Sequence, residues 1–547
     1  MNYRERYEEW LNASWIDEDT RAELAALTDE KEIEDRFYRD LEFGTAGMRG
    51  VMSAGTNRLN PIIIRKATYG LANYLKAEYP DTYTKGVVIA HDSRLHSAEF
   101  ALETAKVLCA CGVPVKIFKD LEPVPVLSFA VRYHKAIGGV VITASHNPRE
   151  YNGYKVYDPE GCQLVPGPAA RLTACVEAVT DLAAIPEKGG EELMTWIGDE
   201  TVDAFIDALQ KVSIPQPNAA DLKVVYTPLH GSGNIPVRTI LKRCGFTNVQ
   251  IVPEQELPDG NFPTVQAPNP ENRTALLMGI DLAHKTGADI VIGTDPDSDR
   301  IGSAVKVGNE YKLISGNQMG ALLANFVCAH RKPTKGDTLI TTVVTGELGA
   351  QVAMSHGVDV MRTLTGFKYI GERMTQFRKN GDRHFVMGYE ESYGYLVGEH
   401  ARDKDAVVAA MLICEMAAEA KAAGKTLIDV LNGLYAKLGF YLDAQDSHTF
   451  KGKEGAEKIK SMMTWMRTSG TTLKDVSELL DYSKGIGDLP KENVLKFLCK
   501  DGSWFAVRPS GTEPKIKIYY SIKSVDEAGA TKKLEARRAE IASALGI

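Results

Sequence analysis

Short apolar runs alternate with amphipathic stretches along most of the chain. Gly86 to Ala90 empties into His91-Asp92-Ser93-Arg94, and Gly138 to Ile142 into Thr143-Ala144-Ser145-His146-Asn147-Pro148. Lys223 to Tyr226 runs into Thr227-Pro228-Leu229-His230-Gly231-Ser232-Gly233, and Ala288 to Gly293 into Thr294 to Arg300. Thr338 to Val344 meets Thr345-Gly346-Glu347, and His384 to Gly388 meets Tyr389 to Gly394. A short β-branched run bounded by glycine reads as a buried strand, and a helical pattern after each loop makes βαβ units with a largely parallel sheet. Residues 1–40, charged with recurrent apolar positions, read as helices. The last hundred residues differ. Val494 to Leu498, Trp504 to Val507 and Lys515 to Tyr520 are strands set close together, and Ser524 to Leu545 is helical, which makes an α+β unit.

Length and breaks organise these units. A chain of 547 residues holds about three or four domains. The Pro-, Gly- and charge-bearing stretch from about 185 to 220 is a boundary, and others fall near 310–316 and 436–446. The expected domains are 1–205, 206–312, 313–438 and 439–547: three related mixed α/β domains and a smaller C-terminal α+β domain.

Composition excludes more than it selects. Hydrophobic content is 44%, charged content 25% and net charge −8, an ordinary globular mix that argues against nucleic-acid binding. An acidic chain still binds anions where its cations gather in one place. Eight cysteines without a C-x-x-C pair suit reduced thiols. Met1 to Trp10 lacks the apolar core of a signal peptide, and Ala406 to Cys414 is too short to span a bilayer and reads as a buried helix. The expectation is a cytoplasmic protein without membrane partners.

Candidate chemistry sits at the strand ends. The loop at Ser145 lies where open α/β sheets place their ligands, although a polar turn would look the same. Ser145 and His146 are neighbours, and neighbours on an extended chain face opposite sides, so His146 need not be the base for Ser145 itself; a substrate hydroxyl is the alternative. A G-x-S-x-G hydrolase elbow is absent. Asp295-Pro296-Asp297-Ser298-Asp299-Arg300 sets three hard carboxylates at alternate positions, which suits Mg²⁺; the alternative is an acidic solvated turn. Arg508-Pro509-Ser510-Gly511-Thr512-Glu513-Pro514 offers hydroxyls, backbone N–H groups and a guanidinium to an anion, or is a simple β-turn. Tyr389-Glu390-Glu391-Ser392-Tyr393-Gly394 suits sugar hydroxyls, acid–base work or a surface turn. Arg49 stands in a glycine-rich stretch, Lys155 ten residues after Ser145, and Lys368 after Thr365-Gly366-Phe367; each is weak alone. A loop serine, a metal loop and anion-binding arms together point to phosphoryl transfer through a phosphoserine.

The four loops, T-A-S-H-N-P, D-P-D-S-D-R, G-Y-E-E-S-Y-G and R-P-S-G-T-E-P, in this order and spacing, resemble the signature loops of the α-D-phosphohexomutases. The T-G-F-K-Y stretch leans toward the phosphoglucomutase branch that overlaps with phosphopentomutases. The resemblance implies four domains around a central cleft and one Mg²⁺ per chain, held by Asp295, Asp297 and Asp299 together with phospho-Ser145. It implies that Arg49, His146, Lys155 and Arg300 act at the reacting phosphoryl group, with His146 and Lys155 as proton shuttles. Glu390, Ser392 and Lys368 would read the sugar, and Arg508, Ser510, Gly511 and Thr512 the distal phosphate. The implied activity interconverts glucose 1-phosphate and glucose 6-phosphate through glucose 1,6-bisphosphate, in a monomer or weak homodimer. Pentose or mannose phosphates, a phosphatase and a catalytically silent relative are the alternatives.

Overall fold

The computed structural model describes residues 2–44, 47–450, 452–510 and 515–547, without the side chains of 452 and 453. The chain divides into two compact bodies. The first holds Met1–Ile314, Ile370–Asn380 and Gly394–Ala422; the second holds Ser315–Tyr369, Gly381–Tyr393 and Ala423–Ile547.

The first body opens with helices Tyr3–Asn12, Glu18–Ala25 and Glu30–Phe37, each started by an Asn or Asp side chain that accepts from first-turn N–H groups. Its six-stranded sheet runs Met48–Val51, Tyr151–Tyr157, Gly138–Ile142, Val87–His91, Val115–Phe118, Met194–Ile197. The last four strands are parallel to one another, but Tyr151–Tyr157 is antiparallel to both its neighbours. The second sheet runs Glu310–Ile314, Ile301–Val307, Ile290–Thr294, Val224–Thr227, Val249–Ile251, again a parallel set extended by antiparallel strands. The sheets are therefore mixed, less parallel than βαβ alternation alone implies. The return strands follow their predecessors through short loops, which cannot hold a crossover helix.

Helix Ala406–Ala422 is buried nearly all round, as its continuous apolar run predicts. Glu415 within it accepts from the Ser213 hydroxyl and, at 2.8 Å, from Ile214 N. Among the described residues no helix is long and apolar enough to cross a membrane. All eight cysteines are free thiols; Cys109 is buried, and Cys111 is half-exposed at its helix end.

Gly153 marks how tightly the site is framed. Its strand pairs with Met48–Val51, and Thr143 N donates to Gly153 O at 3.1 Å. A Cβ at this position would stand 2.5 Å from Thr143 O and 2.8 Å from Met48 O, both backbone atoms that cannot rotate away. Gly153→Ala is expected to destabilise the protein by about 1–3 kcal/mol. An unchanged denaturant midpoint would contradict this packing.

In the second body Asp337–Thr342 lies parallel to Asp359–Thr363 on one side and His384–Glu390 on the other. The C-terminal sheet is antiparallel, in the order Phe440–Thr449, Lys515–Ser524, Trp504–Pro509, Leu495–Cys499, Val476–Asp481. Helices Gly452–Ser469 and Glu527–Leu545 accompany it, an α+β unit as the sequence predicts. Lys496 is buried there. Its Nζ donates to Val343 O at 2.9 Å, lies 3.9 Å from the Trp504 ring centroid and 3.8 Å from Glu347 Oε1. Burial pushes the Lys496 ammonium down to about 7; Arg362 adds to this, while Glu347 and Asp443 oppose it. Between pH 7 and its unfolded value, the unfolded chain binds the extra proton. The stability this group contributes is thus complete above about 10.4 and lost as pH falls toward 7. Denaturant unfolding at pH 7, 8 and 9 should show wild type gaining on Lys496→Met as pH rises, by at most about 1.4 kcal/mol per pH unit. A difference independent of pH would contradict it.

Candidate active site

In the first body, the loops after strands Val87–His91, Gly138–Ile142 and Ile290–Thr294 meet. Ser145 sits at φ 54°, in the left-handed region. Its N–H donates to Thr143 Oγ1 at 2.8 Å, and the Thr143 hydroxyl donates to Asp92 Oδ2 at 2.6 Å. Arg94, fully buried, donates through Nη2 to the carbonyls of Ser145 and Asn147 and through Nη1 to those of Pro148 and Tyr151. A non-glycine residue held left-handed persists only where its surroundings over-determine it; Asp92 and Arg94 do so here.

That geometry corrects one expectation. Because Ser145 is left-handed and not extended, its side chain turns toward its neighbour's: Ser145 Oγ lies 3.1 Å from His146 Nδ1. The two do share a face. Burial, then Arg300 and Arg49, hold the His146 imidazole well below its ordinary value, so it is neutral near pH 7.

Ser145 Oγ also donates to Asp295 Oδ2 at 2.7 Å. The acidic loop curls with Ser298 at φ 52°, and Asp295 Oδ1 accepts from the N–H groups of Asp299 and Arg300 at 3.1 and 3.0 Å. Asp295, Asp297 and Asp299 are all buried, and one oxygen of each lies within 4.8 Å of the others. Lys155, from the antiparallel strand, donates to Asp297 Oδ2 at 2.9 Å and stands 3.9 Å from Asp299 Oδ2. Lys404 Nζ is 3.0 Å from Asp299 Oδ2 and 3.2 Å from Asp403 Oδ1. Gly394 makes room for it, since a Cβ there would lie 2.1 Å from Lys404 Cδ.

The donor set fits a divalent cation. Asp297 Oδ1 and Asp299 Oδ1 are buried without a hydrogen-bond partner, and buried carboxylate oxygens are normally paired or on a metal. Three hard oxygens suit Mg²⁺. Burial, then Asp297 and Asp299, push the Asp295 carboxyl well above its usual range, the self-repulsion a cation relieves. On Asp299 burial acts the same way, but Lys404, Lys155 and Arg300 outweigh it and hold the carboxyl down. Arg300 itself donates to Glu271 Oε1 at 2.8 Å, and Arg49, exposed, donates to Asn147 Oδ1 at 2.9 Å.

The second body carries the other loops. Glu390 ends a strand and accepts from Gly366 N at 2.8 Å; Glu391 Oε2 accepts from Thr345 Oγ1 at 3.1 Å. Ser392 is half-exposed, and Lys368 is buried with its ammonium 5.4 Å from the Tyr369 ring centroid. Arg508 Nε donates to Glu492 Oε1 at 3.0 Å. Burial, then Glu391, raise the Tyr519 hydroxyl, which also hydrogen-bonds Arg508, so the acidic and arginine loops converge on this tyrosine. Ser510 N donates to Lys515 O at 2.7 Å. Gly511 and Thr512 lie outside the described residues.

Sequence reasoning missed Asp92, Arg94 and Lys404. The first two stand at a strand end of the same type as the Ser145 loop, a visible signal. Lys404 had none, being a lone lysine far from the acidic loop in sequence.

Solved structures share this fold. The exocytosis-sensitive phosphoprotein pp63/parafusin, a phosphoglucomutase from Paramecium in its open form, matches with a TM-score of 0.72 at 17% identity, covering 93% of this chain and 96% of that one. A phosphoglucomutase/phosphomannomutase family protein from Burkholderia thailandensis matches with a TM-score of 0.70 at 20% identity, covering 92% and 97%. Family models match in order: phosphoglucomutase/phosphomannomutase alpha/beta/alpha domain I at 40–182, domain II at 203–308, domain III at 315–438 and the C-terminal domain at 468–538. Phosphoglucomutase from Staphylococcus aureus (strain MRSA252) is 37% identical over 93% of this chain and 94% of its own length. That of Staphylococcus epidermidis is 38% identical over 88% and 90%. The chain belongs to the phosphoglucomutase/phosphomannomutase family, within the α-D-phosphohexomutases.

Proposed function

We propose that the protein interconverts glucose 1-phosphate and glucose 6-phosphate, with Ser145 as the phosphoryl carrier. The observation that carries the site assignment is the Ser145 hydroxyl bonded to Asp295 at 2.7 Å, beside two buried carboxylate oxygens without hydrogen-bond partners. Asp295, Asp297 and Asp299 would hold Mg²⁺, which neutralises phosphoryl charge at Ser145. The phosphate ester on Ser145 Oγ gives its phosphoryl group to the sugar O6: the P–Oγ bond breaks, a P–O6 bond forms, and the O6 proton leaves. His146, neutral and beside Oγ, takes that proton in this reading, and Lys155, an ammonium that donates to Asp297, supplies one to the departing Oγ; in the reverse transfer the two roles exchange. The bisphosphate turns over, and Ser145 takes the phosphoryl group from O1 by the same chemistry reversed. Arg49 and Arg300 add cationic charge at the transferring group. Glu390, Ser392 and Lys368 read the sugar, while Arg508, Ser510, Gly511 and Thr512 hold the distal phosphate. The likeness to curated phosphoglucomutases at 35–38% identity over most of the chain supports glucose as the sugar.

A coupled assay with Mg²⁺ and a trace of glucose 1,6-bisphosphate tests this. Across glucose, mannose, ribose and deoxyribose 1-phosphates, the largest kcat/KM should fall on glucose. A preference for mannose or a pentose would move the substrate assignment, and inorganic phosphate without isomer would make the protein a phosphatase. We further propose a cytoplasmic monomer or weak homodimer, for which sedimentation at micromolar concentration should give one chain's mass.

A further inference from the structure

A second cationic cavity lies in the first body, at the opposite end of the sheet from Ser145. It has a volume of about 410 Å³ and is lined by Lys85, Arg132, Lys135 and Arg378, with Glu160 and Tyr79 among the remaining walls. Lys135 precedes strand Gly138–Ile142, whereas Ser145 follows it, so the length of that strand, roughly 15 Å, separates the two places. Four cations face one carboxylate here, on a chain whose net charge is −8. Arg378 binds that carboxylate, which leaves the cavity strongly positive. Lys85 and Lys135 are exposed.

Arg132, one of the lining cations, is anchored to a carbonyl that a second, non-lining arginine shares. Arg132 Nη1 donates to Glu399 O at 2.6 Å, and Arg402 Nη1 donates to the same carbonyl at 2.8 Å. Arg402 is fully buried, and its Nε and Nη2 have no hydrogen-bond partner. Burial, and then Arg132, push its guanidinium down to about 10. Lys85, Arg132, Lys135 and Arg378 gathered around one cavity favour an anion brought among them. The same carbonyl begins the stretch that leads to Lys404, whose ammonium meets Asp299.

We propose that this cavity is a second ligand site, distinct from the Ser145 site, for a small organic phosphate carrying at least two anionic groups. Its volume suits a metabolite-sized molecule, and guanidinium forks beside point-charge lysines match phosphate oxygens.

Calorimetric titration of the full chain with inorganic pyrophosphate tests this, in EDTA and with saturating glucose 1-phosphate to fill the Ser145 site. Pyrophosphate should still bind, more weakly as salt rises. The double variant Lys85→Gln/Lys135→Asn should weaken Kd about tenfold or more, while kcat and KM with Mg²⁺ stay within about twofold. The double variant locates the binding whatever sugar phosphate the Ser145 site prefers. Absence of binding beside glucose 1-phosphate, or an unchanged Kd in the double variant, would overturn the proposal.

Discussion

Ser145→Ala is expected to lower kcat by at least ~10⁴-fold, because the covalent carrier disappears and no neighbouring hydroxyl takes its place. Thr143, two residues away, is committed: its oxygen accepts from Ser145 N and its proton goes to Asp92. The fold should survive. Asp295 loses one donor but keeps the N–H groups of Asp299 and Arg300, and Arg94 holds the loop through backbone carbonyls that alanine retains. A thermal midpoint near wild type together with lost turnover separates chemistry from folding. Wild-type-like turnover would remove Ser145 from the mechanism.

Asp297→Ala is expected to lower kcat/KM by roughly 10²–10⁴-fold and to raise the Mg²⁺ concentration needed for half-maximal rate. This carboxylate accepts from Lys155 through one oxygen, while the other is buried without a partner. Its loss removes a metal oxygen and the hydrogen-bond acceptor of Lys155 together. Metal bound only by the folded chain raises its stability by mass action. Wild type should therefore melt higher in Mg²⁺ than in EDTA, and the variant should lose most of that increment. An equal Mg²⁺ shift in both proteins would place the metal elsewhere.

The fold class was legible because buried strands such as Gly138–Ile142 announce themselves as short β-branched runs, and the antiparallel C-terminal unit by its closely spaced strands. Strand Tyr151–Tyr157 was hidden, because it carries an asparagine and a lysine at buried positions. Both are satisfied from far away, Asn152 by Leu95 O and Ser97 Oγ, and Lys155 by Asp297. Polar residues satisfied by distant partners blur the period-two pattern that reveals a strand. The metal loop was readable from its own spacing, since three carboxylates together require a countercharge. The side to which Ser145 turns was not, because a positive φ at a serine is imposed by Asp92 and Arg94. Lys404 was invisible for a related reason: its meaning lies in the room left by Gly394 and in its distance to Asp299, and neither is a local property.

The proposed chemistry depends most on Ser145 as carrier. Incubating the protein with glucose 1,6-bisphosphate labelled in its phosphates, followed by peptide mapping, tests it directly. Label is expected on the peptide bearing Ser145, with its transfer to glucose 6-phosphate when unlabelled glucose 1-phosphate is added. Label on another residue, or its release only as inorganic phosphate, would contradict it.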